Sequence, residues 1–356
     1  MGNEKRYILD ALSSNWIAPL GPYVNAFEKK IQGFLGKENV ITVSSCTAAI
    51  HLSLILAGVE SGDTVFCSNL TFAASAFPIM YCRGKPVFID SEPKNYNMDH
   101  QALIKALKKE KKKPKALILV HLYGMPANVA KIKEICDEYD IVLIEDAAEA
   151  LGATCNGLPV GTFGRFGTWS FNGNKIITAS CGGALYANFQ NDLEIAFKYS
   201  NQSRENYPWY EHIELGYNYR LSNICAAIGL GQIENITKKI KKKKKIYEIY
   251  KRDGTFGLLP DFAEDFNAGS NYWITCSRLK GNIDRMITEL SKIGIEARRI
   301  WKPMSLQPVF ENTNIYSQYD YSPSEDLFNN GICLPSDTRM SYFDQQKVIK
   351  AIKKLL

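Results

Sequence analysis

The sequence predicts an α/β protein, with a large, mostly parallel sheet buried between helices and a smaller C-terminal α/β unit. Three observations carry this reading. From about residue 39 to 190, short apolar runs alternate with helical stretches. The runs are continuously apolar rather than alternating, as a sheet buried on both faces requires. A long helical pattern then leads into a stretch that mixes helices with short strands and Pro/Gly turns.

In chain order, residues 1–30 read as a helix followed by an irregular loop, Asn15-Trp16-Ile17-Ala18-Pro19-Leu20-Gly21-Pro22. Strands are expected at 39–43, 64–68, 86–90, 115–121, 141–145, 168–171 and 183–187, with an apolar helix at 48–56. Residues 222–252 read as one long helix that becomes lysine-rich and connects two domains, 1–249 and 250–356. Helices are expected at 283–293 and 343–355. No internal repeat or long low-complexity linker interrupts the pattern.

A chain of 356 residues can build two domains with ample core. Its 46% hydrophobic and 22% charged content is that of a soluble globular protein. No apolar run approaches the roughly 20 residues of a membrane span, and the start lacks the apolar stretch of a signal peptide. Nine scattered cysteines without a CxxC pair argue against a zinc site or disulfide framework and for a reducing cytoplasm. The net charge of +6 gathers in two lysine runs, 105–115 and 238–245, which read as solvated helix faces. No aromatic interleaving or known motif points to nucleic acid. Four isolated histidines form no metal spacing, and Gly161, Gly164 and Gly167 are wrongly spaced for a dinucleotide site.

The chemistry-bearing residues fall at the ends of the expected strands. Asp146 closes the run Ile141-Val142-Leu143-Ile144-Glu145, where ligands of α/β sheets gather. Lys175 follows the aromatic run Thr168-Trp169-Ser170-Phe171 and the turn Asn172-Gly173-Asn174, 29 residues after Asp146. An amine and a strand-end carboxylate in this order suit a pyridoxal phosphate (PLP) enzyme, the lysine as Schiff-base former and the carboxylate as partner of the pyridine nitrogen. The plainer readings are a surface lysine and a helix-capping aspartate. Ser44-Ser45-Cys46-Thr47 opens a helix and could seat a phosphate, or simply cap that helix. Ser170 could add a hydroxyl. Phe72 could stack on a cofactor ring or pack in the core.

Three segments add specificity: Glu145-Asp146-Ala147-Ala148-Glu149-Ala150-Leu151-Gly152, Ser170-Phe171-Asn172-Gly173-Asn174-Lys175-Ile176-Ile177-Thr178 and Gly216-Tyr217-Asn218-Tyr219-Arg220-Leu221-Ser222. In this order they resemble the sugar aminotransferases of the DegT/DnrJ/EryC1/StrS family, over nearly the whole chain. Within it they are most similar to the PglE-like UDP-4-keto-sugar aminotransferases of the bacillosamine and legionaminic acid pathways. The resemblance implies an aspartate aminotransferase-like PLP fold of type I. It implies Lys175 as the Schiff-base lysine and Asp146 as the pyridine-nitrogen partner. Phe72 would stack on the ring, Cys46, Thr47 and Ser170 would hold the phosphate, and Glu149 would stand beside the ring hydroxyl, where many members carry glutamine. Asn218 would reach the phosphate of the neighbouring subunit in a homodimer with shared active sites.

The implied substrates are L-glutamate and a UDP-keto-sugar, aminated at C4. Trp16, Ile17, Tyr123, His212 and Arg220 are the expected lining residues, with Arg298 and Lys302 as partners of the pyrophosphate. The pattern departs from the family at Ser180-Cys181-Gly182-Gly183, where many members have Gly-Glu-Gly-Gly, and at Arg299 and Ser305, where a proline and a histidine are usual. The sequence also begins where relatives carry a further strand-like lead-in beside the sugar site. The alternatives are amination at C3 or of a dTDP-linked sugar, and a PLP-binding regulator without turnover. The paired Lys175 and Asp146 speak against the last.

Overall fold

The computed structural model describes residues 2–259 and 267–356. Eight strands form the main sheet and are labelled here in chain order: β1 (Val40–Val43), β2 (Thr64–Ser68), β3 (Lys85–Ile89), β4 (Ala116–Val120), β5 (Val142–Asp146), β6 (Phe166–Ser170), β7 (Gly183–Ala187) and β8 (Ile315–Tyr316). Their spatial order is β1-β7-β6-β5-β4-β2-β3-β8. Only β7 runs antiparallel to its neighbours, so the sheet is mixed but mostly parallel. The first seven strands match those expected from the sequence to within two residues at either end.

The continuous apolar runs follow from the position of this sheet. Successive residues of a strand point to opposite faces. Leu117, Leu119 and Leu143 pack with Phe27, Ile31, Leu103 and Ile132 from the helices Pro22–Leu35, His100–Lys109 and Val129–Glu138. Ile118, Ile144 and Phe166 face the other way, against Ile50 and Leu54 of the helix Cys46–Leu56. That helix is buried on nearly every side, which explains its all-round hydrophobicity.

A second, antiparallel sheet joins 257–258, 275–278, 331–334 and 298–299. Tyr250, Met286, Leu290, Ile332 and Val348 form its core with the helices Ile236–Asp253, Ile283–Lys292 and Tyr342–Lys353. The C-terminal region is not confined to that sheet. Met304 and Phe310 pack under the main sheet, and β8 adds to its edge in parallel with β3.

The single long helix expected at 222–252 is two helices, Asn223–Ile233 and Ile236–Asp253. Asn235 leaves the helical conformation, at φ −112° and ψ 9°, and its side-chain amide donates to the Gly231 carbonyl. A short polar side chain competing for backbone acceptors interrupts the ladder here. Most of the lysines that follow are solvated, as expected, but Lys243 turns inward and donates to the carbonyls of Trp273 (2.8 Å) and Ser336 (2.6 Å). Among the described residues, no helix is long and apolar enough to cross a membrane.

Candidate active site

A cleft of about 260 Å³ opens at the carboxyl ends of the parallel strands. Its lining includes Cys46, Thr47, Phe72, Ser75, Asp146, Glu149, Ser170, Lys175 and Trp301. The expected cofactor contacts of one subunit are thus brought together.

Asp146 is the last residue of β5, in register with Val120 and Thr168 on its two flanking strands. It is 4% exposed. Its Oδ1 accepts the Ala148 N–H at 3.0 Å and lies 3.9 Å from the Cys46 thiol. Its Oδ2 accepts the Ser75 hydroxyl at 2.6 Å. Burial, followed by the charge of Asp146, pushes the Cys46 thiol well above its ordinary range, so it stays protonated and can donate.

Lys175 is aimed by a loop pinned at several points. Phe171 N–H donates to the Gly182 carbonyl, Ala179 N–H to Phe171, and Lys175 N–H to Asn172. The Trp273 indole N–H ties down the Asn174 carbonyl at 2.7 Å. Gly182 has φ 118°, and a Cβ there would lie 2.8 Å from Leu221, so the turn requires glycine. The Lys175 amine stands 4.1 Å from the centroid of the Trp273 ring and 3.7 Å from Glu149 Oε1. An indole face and a carboxylate together hold the ammonium group.

Glu149 is buried. Its Oε2 takes the Tyr123 N–H at 2.6 Å and its Oε1 the Trp301 indole N–H at 3.0 Å. Burial raises its pKa, while the Lys175 charge and the two N–H donors pull it back down, with a net upward shift.

The helix Cys46–Leu56 starts beside this carboxylate cluster. Ser45 caps it, its hydroxyl accepting the Ala48 N–H at 3.0 Å. The capping reading of this segment therefore holds, and it leaves the N–H groups of Cys46 and Thr47, two residues of the cleft wall, without an intrahelical acceptor. Gly183 permits the close approach of β7, since a Cβ there would lie 2.5 Å from Cys46 N. Ser170 ends β6 at the same wall. Phe72 is 54% exposed and meets the Trp301 ring at 5.3 Å, so it is a wall of the cleft and not a core residue.

These features fit PLP. The cleft offers a carboxylate for the ring nitrogen, an amine for the aldehyde, free N–H groups at a helix start for the phosphate and an exposed aromatic face for the ring.

The expected sugar contacts are more scattered. Tyr123 lies behind the cleft. It is buried, its ring stacks on Trp301 and Trp273, and its hydroxyl accepts the Trp301 N–H at 2.8 Å. Arg220 is taken up elsewhere, donating to Glu28 and to the Thr42 carbonyl at 2.9 Å each. Neither side chain lines the cleft. His212 and Asn218 sit on an exposed segment, both in contact with Gln202. Trp16 and Ile17 are exposed at the surface. Arg298 lines an adjoining opening of about 440 Å³, shared with Asn174, Lys175, Lys239 and Lys243, and Lys302 is exposed nearby in sequence.

Four cleft-shaping residues have no strong sequence signal. Ser75 lies near Phe72 in the chain, and its apolar neighbours hide it. Asn174 was visible only as part of the turn before Lys175. Trp273 and Trp301 arrive from about a hundred residues or more downstream. Next to the cleft, the buried Glu145 accepts the N–H groups of Gly161 (2.7 Å), Phe163 (2.6 Å) and Gly164 (2.7 Å) and meets His121 at 3.0 Å. The glycine cluster there wraps a carboxylate of the protein itself.

Comparison with known proteins agrees with this geometry. The model of the DegT/DnrJ/EryC1/StrS aminotransferase family matches residues 2–353. EpsN of Bacillus subtilis, named for pyridoxal phosphate-dependent aminotransfer, is 45% identical over 99% of this chain and 92% of its own. GDP-perosamine synthase of Vibrio cholerae is 35% identical over 94% of this chain and 91% of its own. A crystal structure of a family aminotransferase from Brucella abortus superposes with a TM-score of 0.91 at 26% identity, covering 99% of this chain and 95% of that one. The chain belongs to the DegT/DnrJ/EryC1/StrS aminotransferase family. It is a PLP-dependent sugar aminotransferase with the type I fold of PLP enzymes.

Proposed function

We propose that this enzyme moves the amino group of L-glutamate to C4 of a UDP-linked 4-keto-6-deoxy-N-acetylhexosamine, as a cytoplasmic homodimer. The observation that carries the reading is the Lys175 amine, held against Glu149 on the wall of a cleft that Asp146 also lines. When bound, PLP supplies an aldehyde and an electron-accepting ring. The protein's residues do the rest. Asp146 holds a proton on the ring nitrogen. Cys46 and Thr47 N–H groups and the Ser170 hydroxyl anchor the phosphate, and Phe72 covers the ring. Lys175 Nζ takes the α-proton of glutamate and later returns a proton to the sugar carbon, a transfer worth roughly 10²–10⁴-fold in rate.

The choice of a nucleotide-linked substrate is supported by the opening beside Lys175, where Lys239, Lys243 and Arg298 outnumber two carboxylates, Asp337 and the Glu296 that pairs with Arg298. The choice of UDP rests on the likeness of the Asp146, Lys175 and Asn218 segments to the UDP-sugar branch. The dimer is supported by an exposed apolar segment carrying Trp209, Tyr210, Ile213 and Leu215 just before Asn218.

A panel of UDP-, GDP- and dTDP-linked keto-sugars incubated with L-glutamate and read by mass spectrometry tests the proposal. The UDP-4-keto-hexosamine should be the one aminated. Amination of only the GDP-linked sugar, the substrate class named for the Vibrio relative, would overturn the nucleotide assignment.

A further inference from the structure

Asp146 is reached by a chain of hydroxyls that neither the family motifs nor the reaction assigns. Ser75 Oγ lies 2.6 Å from Asp146 Oδ2, and Thr71 Oγ1 lies 2.6 Å from Ser75 Oγ. All three side chains are buried. The direction of the chain follows from proton counting. The Ser75 hydroxyl donates to Asp146 Oδ2, as a carboxylate that is to take the ring N–H must act as an acceptor. Ser75 has only one proton to give, so the proton between the two hydroxyls belongs to Thr71. The order is Thr71 to Ser75 to Asp146, each donor polarising the next.

The distances are those of a charge-assisted pair. An O–H donor to a carboxylate at 2.5–2.7 Å is about twice as strong as a neutral bond. The local fold sets it up. Thr71 follows β2, and Ser75 closes the short 3-10 turn Ala73–Ser75, four residues on. The relay thus ties the loop after β2 to the end of β5, with β4 between them in the sheet. The other oxygen, Oδ1, is held by the Ala148 N–H. With a donor on each oxygen, rotation of the carboxylate about its last bond is restrained at the wall of the cleft.

We infer that Ser75, backed by Thr71, is a positioning residue that fixes the orientation and charge of Asp146 towards the ring nitrogen of the bound cofactor. The inference rests on the assignment of Asp146 to that nitrogen.

The test uses the holoenzyme loaded with PLP carrying ¹⁵N in the ring. It reads the nitrogen chemical shift, which reports the ring proton, and the PLP dissociation constant. Ser75→Ala should move the shift towards the unprotonated value and weaken PLP binding roughly tenfold or more, the loss expected for a hydrogen bond to a charged group. Thr71→Val leaves Asp146 and Ser75 in place and should move both readouts the same way by less. Thr71→Ser keeps the hydroxyl and should hold the wild-type shift. If Ser75→Ala does not fold, Thr71→Val and Thr71→Ser carry the test. Asp146→Asn separates the two ideas. If Asp146→Asn moves the shift and the hydroxyl variants do not, the relay is overturned and the Asp146 assignment stands. If Asp146→Asn leaves the shift unchanged, the assignment itself fails, and the inference with it.

Discussion

Glu149 Oε1 stands 3.7 Å from Lys175 Nζ while taking the Trp301 indole N–H at 3.0 Å. Its other oxygen takes the Tyr123 N–H. Its hydrogen-bond and ion-pair partners among the described residues are all donors, while the nearby Asp146 charge opposes its ionisation.

That surround predicts a pH signature. The folded pKa of Glu149 is raised above 4.5, mainly by burial. The folded state therefore keeps a proton that the unfolded state loses, and stability falls as pH rises from about 4.5 through the folded pKa. Glu149→Gln cannot titrate. The stability difference between wild type and variant should shrink over that window, as read by urea unfolding at a series of pH values. Parallel curves would count against the shift.

Lys175→Ala should lower amino transfer by at least about 10²–10⁴-fold, the worth of the proton transfer alone. The fold should survive, because the loop is pinned by backbone contacts and by Trp273 rather than by the amine. The absorption band of the bound cofactor should no longer bleach with L-glutamate. A variant that turns over at the wild-type rate would remove Lys175 from the reaction.

Lys243 predicts the opposite slope. Burial lowers its pKa to about 8, against 10.5 for a free lysine. The unfolded chain binds the extra proton between these values, so stability rises with pH from about 8 to 10.5. The slope is at most about 1.4 kcal/mol per pH unit. Lys243→Met should flatten it in denaturant titrations, although losing the donor to the Trp273 and Ser336 carbonyls also lowers stability at every pH.

If Asn218 serves the neighbouring subunit, two inactive variants should rescue each other. Refolding Lys175→Ala together with Asn218→Asp gives hybrid dimers in which one site carries both defects and the other carries none. With random pairing of a two-fold dimer, activity should recover to about a quarter of wild type. No recovery, with hybrids confirmed by mass, would place Asn218 in its own subunit's site or outside the reaction.

The cofactor side of the cleft was legible in the sequence because it lies where apolar strands stop. Asp146, Ser170 and the Ser45-Cys46-Thr47 turn follow runs whose burial is continuous, and the ends of such runs are easily found. The sugar side was not legible. Tyr123 also follows a strand, but its φ of 52° reverses the chain and sends the ring beneath Trp301, a residue 178 positions later. Arg220 belongs to a recognisable motif, yet its guanidinium is claimed by Glu28, 192 positions away. Periodicity sees which residues are buried, and it does not see which distant partner takes a charge.

The strand β8 and the Trp301 segment place the finishing pieces of the large sheet near the end of the chain. Backbone N–H groups of Met304 and Ser305 dock on Asn69, and β8 covers the edge of β3. A ribosome makes Asp146 and Lys175 long before it makes these pieces. For that interval the growing chain holds an open sheet edge and a buried acid, Glu149, without its indole donor. The catalytic residues come early in synthesis, and their protection comes late. Until residue 316 leaves the exit tunnel, the β3 edge at Phe88 and Ile89 lacks the strand that covers it in the finished enzyme.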